Sequence, residues 1–275
     1  MNKAIRVTIG AVMFAVSISI VHAAAPQQGA PAPASRAPRA TAPLDLTGQW
    51  VSIVTEDWRW RMLTAPRGDA TGIPLNPEGM KVAESWDLAK DNARGDQCKA
   101  FGAGGIMRIP SRLRITWQDD STLRIETDAG RQMRLIRFNE QQAVRGALTL
   151  QGNSVGSWQL RDDGAPVLRG PGSPGVGKKG SMKVVTTNLR GGYLRKNGIP
   201  YSENALVTEY FNRHDDFGSA WFTVTTVVDD PKYLLSPSVT TTHFKRETDQ
   251  SKWNPQPCET VPPTLDRAPK IPFPG

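Results

Sequence analysis

The stretch RLRITWQDDSTLRIETDAGRQMRLIRF, Arg112 to Phe138, decides the reading of the fold. Its apolar residues fall on alternate positions, Leu113, Ile115 and Trp117, then Leu123 and Ile125, the period of a strand with one buried face. A one-residue slip would turn every apolar group outward, so the side chains themselves set the register. Pairing Trp117 with Leu123, Ile115 with Ile125 and Leu113 with Thr127 gathers the apolar set on one face. The other face then sets Arg114 opposite Glu126 and Arg112 opposite Asp128, both favourable cross-strand pairs. The next turn, Asp128-Ala129-Gly130, reads as a three-residue loop with Gly at its left-handed position, bringing Leu123 to Leu135 and Ile125 to Met133. The polar face of the meander carries Arg112, Arg114, Thr116, Arg124, Glu126, Gln132 and Arg134. Small barrels fill their interiors with apolar side chains, so this face is expected to be the solvated outer wall, with a charged cavity lining as the alternative.

Working outward, similar short runs recur on both sides: 49–56, 105–109, 155–160, 182–189, 206–211, 220–228 and 239–246, separated by Gly, Pro, Asn and Asp. Many short strands at this spacing predict a mainly β chain, a single antiparallel β-barrel of about 8–10 strands. One helix is inserted, over about 77–93. Asn76 is its N-cap, Pro77 fits the first helical position, Gly95 follows the end, and Met80, Ala83 and Trp86 form its apolar stripe. It is expected to cover an open end or an edge of the sheet.

At the N-terminus, Lys3 and Arg6 precede an uncharged run, Val7–Val21, followed by Val21-His22-Ala23-Ala24-Ala25. This is the pattern of a secretory signal peptide over residues 1–23, too short for a membrane span. Residues 24–43 consist of Ala, Pro, Gln, Gly, Ser, Thr and Arg, with no aliphatic side chain larger than Ala, and read as a disordered Pro/Ala-rich linker. The barrel domain is expected over 44–258 and a Pro-rich tail over 259–275. These readings place the protein in the periplasm or outside the cell. The chain carries a formal net charge of +8; Lys3 and Arg6 leave with the signal, so the mature chain keeps +6. The basic residues are scattered singly and balanced locally, so nucleic acid is not an expected partner, while anionic ligands are mildly favoured. The only cysteines, Cys98 and Cys258, are expected to pair in an oxidising compartment.

The first strand opens with Leu46-Thr47-Gly48-Gln49-Trp50, and this G-x-W resembles the first motif of the lipocalin-like (calycin) barrels. In the same order, Thr208-Glu209-Tyr210 is similar to the family's T-D-Y segment, and Arg246 stands where the family carries a basic residue against the opening Trp. The helix and loops over 66–104 stand where the family has one short loop. The resemblance implies a barrel plugged at one end by Trp50, with Arg246 or Lys245 against its ring, and a cavity open at the other.

Chemistry is constrained by scarcity. After the signal only His214 and His243 remain, no H-E-x-x-H, C-x-x-C or G-x-S-x-G occurs, and both cysteines are expected to be oxidised, so no metal or cofactor is implied. Two segments are dense in reactive groups. In Glu56-Asp57-Trp58-Arg59-Trp60-Arg61, strand alternation places Glu56, Trp58 and Trp60 on one side and Asp57, Arg59 and Arg61 on the other. A carboxylate desolvated against indoles would have a raised pKa, one way of making a general acid or base without histidine. In Gly191–Ser202, Asn197-Gly198 signals a type I′ turn flanked by Tyr193, Arg195 and Tyr201.

The leading expectation is an exported lipocalin-like barrel that binds a small apolar or aromatic, optionally anionic, ligand in its cavity. Trp58, Trp60, Tyr193 and Tyr201 would be its walls, and Glu56 or Arg195 its polar anchor. The alternative is a metal-free, cofactor-free lyase, isomerase or hydrolase, with Glu56 or Asp57 as base and Tyr201 or Arg195 as electrophilic partner. An envelope structural or interaction protein is the third reading. Convergence of Glu56, Arg195 and Tyr201 on one cavity would favour the enzyme, and a filled barrel the structural role.

Overall fold

The computed structural model describes residues 36–139, 146–160, 180–260 and 262. The expected signal, the expected linker up to residue 35, residues 140–145 and 161–179 and nearly all of the expected Pro-rich tail lie outside the described residues.

The alternating runs form strands. In chain order these are β1 (Gly48–Ile53), β2 (Arg112–Trp117), β3 (Thr122–Thr127), β4 (Met133–Arg137), β5 (Asn153–Leu160), β6 (Gly180–Thr187), β7 (Gly192–Arg195), β8 (Ile199–Tyr201), β9 (Leu206–Asp216), β10 (Ser219–Asp229) and β11 (Ser238–Glu247). Nine of them close a barrel in the order β1-β2-β3-β4-β5-β6-β9-β10-β11 and back to β1, while β7 and β8 make a separate hairpin. The barrel is mixed rather than purely antiparallel, because β4 and β5 run parallel. Parity requires this: alternating directions close a ring only for an even number of strands, so nine strands leave at least one parallel pair. The connection between them, residues 138–152, is long enough to return the chain to the starting end, as a parallel crossover needs.

Trp50 is 0% exposed, packs edge-on against Phe222 at 4.7 Å between ring centroids, and donates its indole N–H to the Leu46 carbonyl at 2.8 Å. The Arg246 guanidinium lies 5.7 Å from its ring, as the G-x-W motif implied. Around it Leu113, Ile115, Phe211, Phe222 and Phe244 are fully buried and fill the interior of the barrel.

The β2–β3 register is the expected one, with Trp117 on Leu123 and Ile115 on Ile125. The β3–β4 register is not. Leu123 faces Ile136 and Ile125 faces Arg134, one residue away from the expected pairing. The loop holds four residues, 128–131, closed by a bond from the Thr127 N–H to the Gln132 carbonyl (2.9 Å), and both Gly130 and Arg131 take left-handed backbone, at φ +75° and +49°. That extra residue turns Met133 and Leu135 outward and Arg134 inward, where it meets Glu209 of β9. Arg112, Arg114, Arg124 and Glu126 remain on the outer side, so the outer-wall expectation holds for them and is corrected for Arg134. Glu126 takes Arg124 of its own strand as its ion-pair partner, and Arg112 pairs with Glu247 at 3.1 Å as well as, at 4.0 Å, with the expected Asp128.

One end of the barrel is capped by the 54–111 segment and the β7–β8 hairpin. Before the barrel comes α1 (Pro38–Thr41); the cap contains α2 (Trp58–Met62), α3 (Pro77–Ser85), α4 (Leu88–Arg94) and single 3₁₀ turns at Lys99–Phe101 and Ile106–Arg108. The helix expected over 77–93 is two helices. Asn76 caps the first by accepting from Gly79 N, but the chain extends at Trp86 and Asp87 starts a second helix by accepting from the N–H groups of Ala89 and Lys90. Gly95 ends it in left-handed backbone, as expected. The run 105–109, expected as a strand, is the second 3₁₀ turn. Between cap and barrel lies a second core, with Ala83, Leu189, Leu194, Ile199, Tyr201 and Val207 at its centre. The barrel mouth that the lipocalin resemblance implied to be open is thus covered.

Part of the expected linker is docked rather than free: Arg39 N donates to the Asp120 carbonyl (3.0 Å) and the Trp158 indole N–H to the Pro38 carbonyl (2.9 Å). At the other terminus the Cys98 and Cys258 sulfurs are at bonding distance. The segment leading to Cys258 runs along the four-residue loop, with Gln256 N donating to the Asp128 carbonyl at 2.8 Å and Arg114 4.5 Å over the Trp253 ring.

Candidate functional site

The two segments singled out in the sequence meet at the seam between cap and barrel. A cleft of about 190 Å³ opens there, walled by Asp57, Trp60 and Arg61 from α2 and its approach, Thr71–Ile73, Arg108, Leu194–Lys196 of the hairpin, and Val228 and Ser238–Thr240 of the barrel.

Each side chain has a local cause. After β1 the chain bends at Asp57, whose φ of +52° starts α2, and the Asp57 carbonyl accepts from the N–H groups of Trp60 and Arg61. The strand alternation expected over 56–61 therefore gives way to helical spacing, which buries Arg61, leaves Trp58 62% exposed and points Trp60 into the seam. Opposite, the β7–β8 turn closes through Gly198 N donating to the Arg195 carbonyl (3.2 Å), with only Gly198 at positive φ, +81°. It is not the type I′ turn expected, which needs two such residues. Asn197 anchors the turn by donating to the carbonyls of Pro66 and Asp69 at 2.9 and 3.0 Å, and this brings Arg195 over the Trp60 ring at 5.1 Å. Trp60 in turn donates to Asp69 at 3.1 Å.

The charges are largely spoken for. Glu56, just behind the cleft wall, accepts from Arg61 at 3.0 Å and Arg108 at 2.9 Å, and Arg108 also reaches Asp57 and the Thr241 carbonyl. Burial pushes the Glu56 carboxyl up, but the hydrogen bond from Thr55 and the charges and hydrogen bonding of Arg61 and Arg108 outweigh it and hold it below its usual value. The raised pKa expected for a carboxylate among indoles is not what this environment produces. Asp69 is held down in the same way: burial raises it, while bonds from Thr71 and Trp60 and the Arg195 charge lower it further. Lys196, half-buried and without a hydrogen-bond or ion-pair partner among the described residues, has its ammonium pKa lowered by burial.

Two guanidinium nitrogens in this cleft wall are buried and have no partner, Arg61 Nη2 and Arg195 Nη1. Arg61 spends its remaining donors on the Arg108 carbonyl (Nε, 3.1 Å), Glu56 and the Ile53 carbonyl; Arg195 gives Nη2 to the Thr71 carbonyl at 2.7 Å. Each unpaired buried donor costs about 1–3 kcal/mol.

The remaining sequence candidates lie elsewhere. Tyr193 and Tyr201 border a wider depression of about 480 Å³ on another side of the cap, with Trp86, Lys90, Arg94 and Tyr233. Tyr193 donates to Asp91 at 2.8 Å, and burial together with that carboxylate pushes its phenol far above the usual range. Tyr201 is buried against Gly102, Gly104 and Gly192, which leave room for its ring only because they lack a Cβ; burial raises its phenol to about 12. Glu56, Arg195 and Tyr201 do not converge. Arg108 and Lys196, which the sequence reading did not single out, do line the cleft. Lys196 sits inside the quoted hairpin, whereas Arg108 carried no signal beyond its charge. The histidines stand apart, His214 exposed near the β9–β10 turn and His243 half-buried in β11. Among the described residues no group of three or more His, Cys, Asp or Glu is placed to hold a metal ion.

No family model, no curated protein and no solved structure matches this chain.

Proposed function

We propose that this is an exported, lipocalin-like binding protein whose small organic ligand sits in the seam cleft between cap and barrel, not inside the barrel. The observation that carries the reading is the convergence of Trp60 and Arg195, from segments far apart in sequence, on one cleft that also presents apolar walls at Ile73, Leu194 and Val239. An apolar wall with a few convergent polar groups is the usual make-up of a small-molecule site. The packed interior argues against a ligand within the barrel, because Trp50 and the phenylalanines already fill it. The Trp50 and Arg246 pairing supports the family resemblance. Export rests on the sequence pattern of residues 1–23, with the Cys98–Cys258 bridge in keeping with an oxidising compartment.

Val239 is 60% exposed on the rim, so Val239→Trp obstructs the cleft without disturbing the core. In ligand-observed NMR with a mixture of single-ring organic compounds, the wild type is expected to show binding that Val239→Trp abolishes. Binding by neither protein would overturn the reading and leave a structural or interaction role.

A further inference from the structure

We infer that the seam cleft is a carboxylate site for a single-ring aromatic monoacid of about the size of benzoate. This deepens the proposed function and rests on it.

Size sets the first limit. At about 190 Å³ the cleft falls below the roughly 300–1,000 Å³ of pockets for drug-sized ligands, yet exceeds the roughly 150 Å³ cavity that takes up benzene. One ring with a small substituent fits.

Charge sets the second. Arg61, Arg108, Arg195 and Lys196 line the cleft against Asp57, and two further carboxylates, Glu56 and Asp69, stand directly behind through Arg61, Arg108 and Trp60. Four cations against three carboxylates leave one positive charge, which a monoanion neutralises and a dianion over-fills.

The free donors set the third. Arg108 commits three of its five N–H donors to Glu56, Asp57 and the Thr241 carbonyl, and its charge is matched by those two carboxylates. One nitrogen on each of two further guanidiniums, Arg61 Nη2 and Arg195 Nη1, is buried in the cleft wall without a hydrogen bond. Arg195 is held through a single hydrogen bond, so its guanidinium can turn about that anchor and bring Nη1 to a carboxylate in the cleft. The ligand's ring then lies along Trp60, Ile73 and Leu194.

The test is calorimetric titration of the full-length mature protein with benzoate, benzyl alcohol and phenyl phosphate, using wild type, Arg195→Met and Lys196→Met. Lys196→Met removes a charge that makes no hydrogen bond, so it guards against a variant that loses affinity by misfolding. Benzoate is expected to bind wild type more tightly than either other compound. Both substitutions are expected to weaken benzoate by about tenfold or more while changing benzyl alcohol by less than about twofold. Equal binding of benzoate and benzyl alcohol, or benzoate affinity unchanged in both variants, overturns the carboxylate inference while leaving the cleft as a binding site. Tighter binding of phenyl phosphate assigns the cleft to a dianion and overturns it too. If none of the three compounds binds wild type, this inference falls, and the cleft reading falls with it only if the wider single-ring mixture is also silent.

Discussion

Arg134 and Glu209 face each other inside the barrel, their side chains 1% and 0% exposed, with Nη2 and Nη1 of the guanidinium on the two carboxylate oxygens at 2.6 and 3.1 Å. Ser154 and Thr186 accept from the same guanidinium at 3.4 and 3.3 Å and bond to each other at 2.8 Å. Two charges removed from water are tolerated only because the pair is bidentate and further hydrogen bonds surround it. Glu209→Leu leaves Arg134 buried and uncompensated, and is expected to cost about 3–5 kcal/mol in urea denaturation. The double replacement Arg134→Met with Glu209→Leu is expected to recover most of that loss, since matched apolar side chains avoid the desolvation altogether. A double variant as unstable as the single one would show that the pair contributes more than charge balance.

At the scale of the element, a single turn decides which side of β4 is inside. Asp128, the buried first residue of the four-residue loop, accepts from the N–H groups of Arg112 and Ala129, both at 2.7 Å, while its own N–H donates to the Arg112 carbonyl at 3.1 Å. The glycine two residues on is obligatory: at Gly130 a Cβ would run into the Phe101 ring, and the backbone is left-handed besides. With the loop fixed at four residues, the β3–β4 register and the inward turn of Arg134 follow. Asp128→Ala is expected to destabilise by about 1–3 kcal/mol, because it orphans a partly buried backbone N–H at Arg112. Amide exchange should locate the effect, with faster exchange at Arg112 and Ala129 before any change in the centre of β10.

For the whole molecule, the bridge between Cys98 and Cys258 spans a sequence separation of 160 and joins the cap to the C-terminal segment lying on the Asp128 loop. Chain entropy gives such a bridge about 4–5 kcal/mol as an upper figure. Replacing both cysteines by Ala is expected to lower stability by a few kcal/mol and to open the 253–258 segment to proteolysis first, because outside the bridge it is held by single contacts such as those of Gln256 and Trp253. Limited proteolysis with mass mapping checks the order. Initial cleavage in the barrel strands would contradict it.

Local patterning carried the reading of the barrel class, the β2–β3 register, the Asn76 and Gly95 helix ends and the one possible disulfide, because each is set within a few residues or by elimination, while the Trp50 and Arg246 contact was implied by the G-x-W resemblance. It failed where two local signals compete. Residues 56–61 alternate like a strand, yet Asp57 takes left-handed backbone and winds them into α2, while Asp87 looks like an ordinary helix residue and is a cap. The facing of Arg134, the capped mouth and the cleft belong to the tertiary structure alone. Arg134 turns inward through one extra loop residue and finds Glu209, 75 positions away, as its counter-charge. Trp60 and Arg195 meet because a hairpin inserted between β6 and β9 packs on a segment inserted between β1 and β2. Periodicity reports which residues share a face of one element; which faces then meet is a matter of loop length and of packing between segments more than a hundred residues apart.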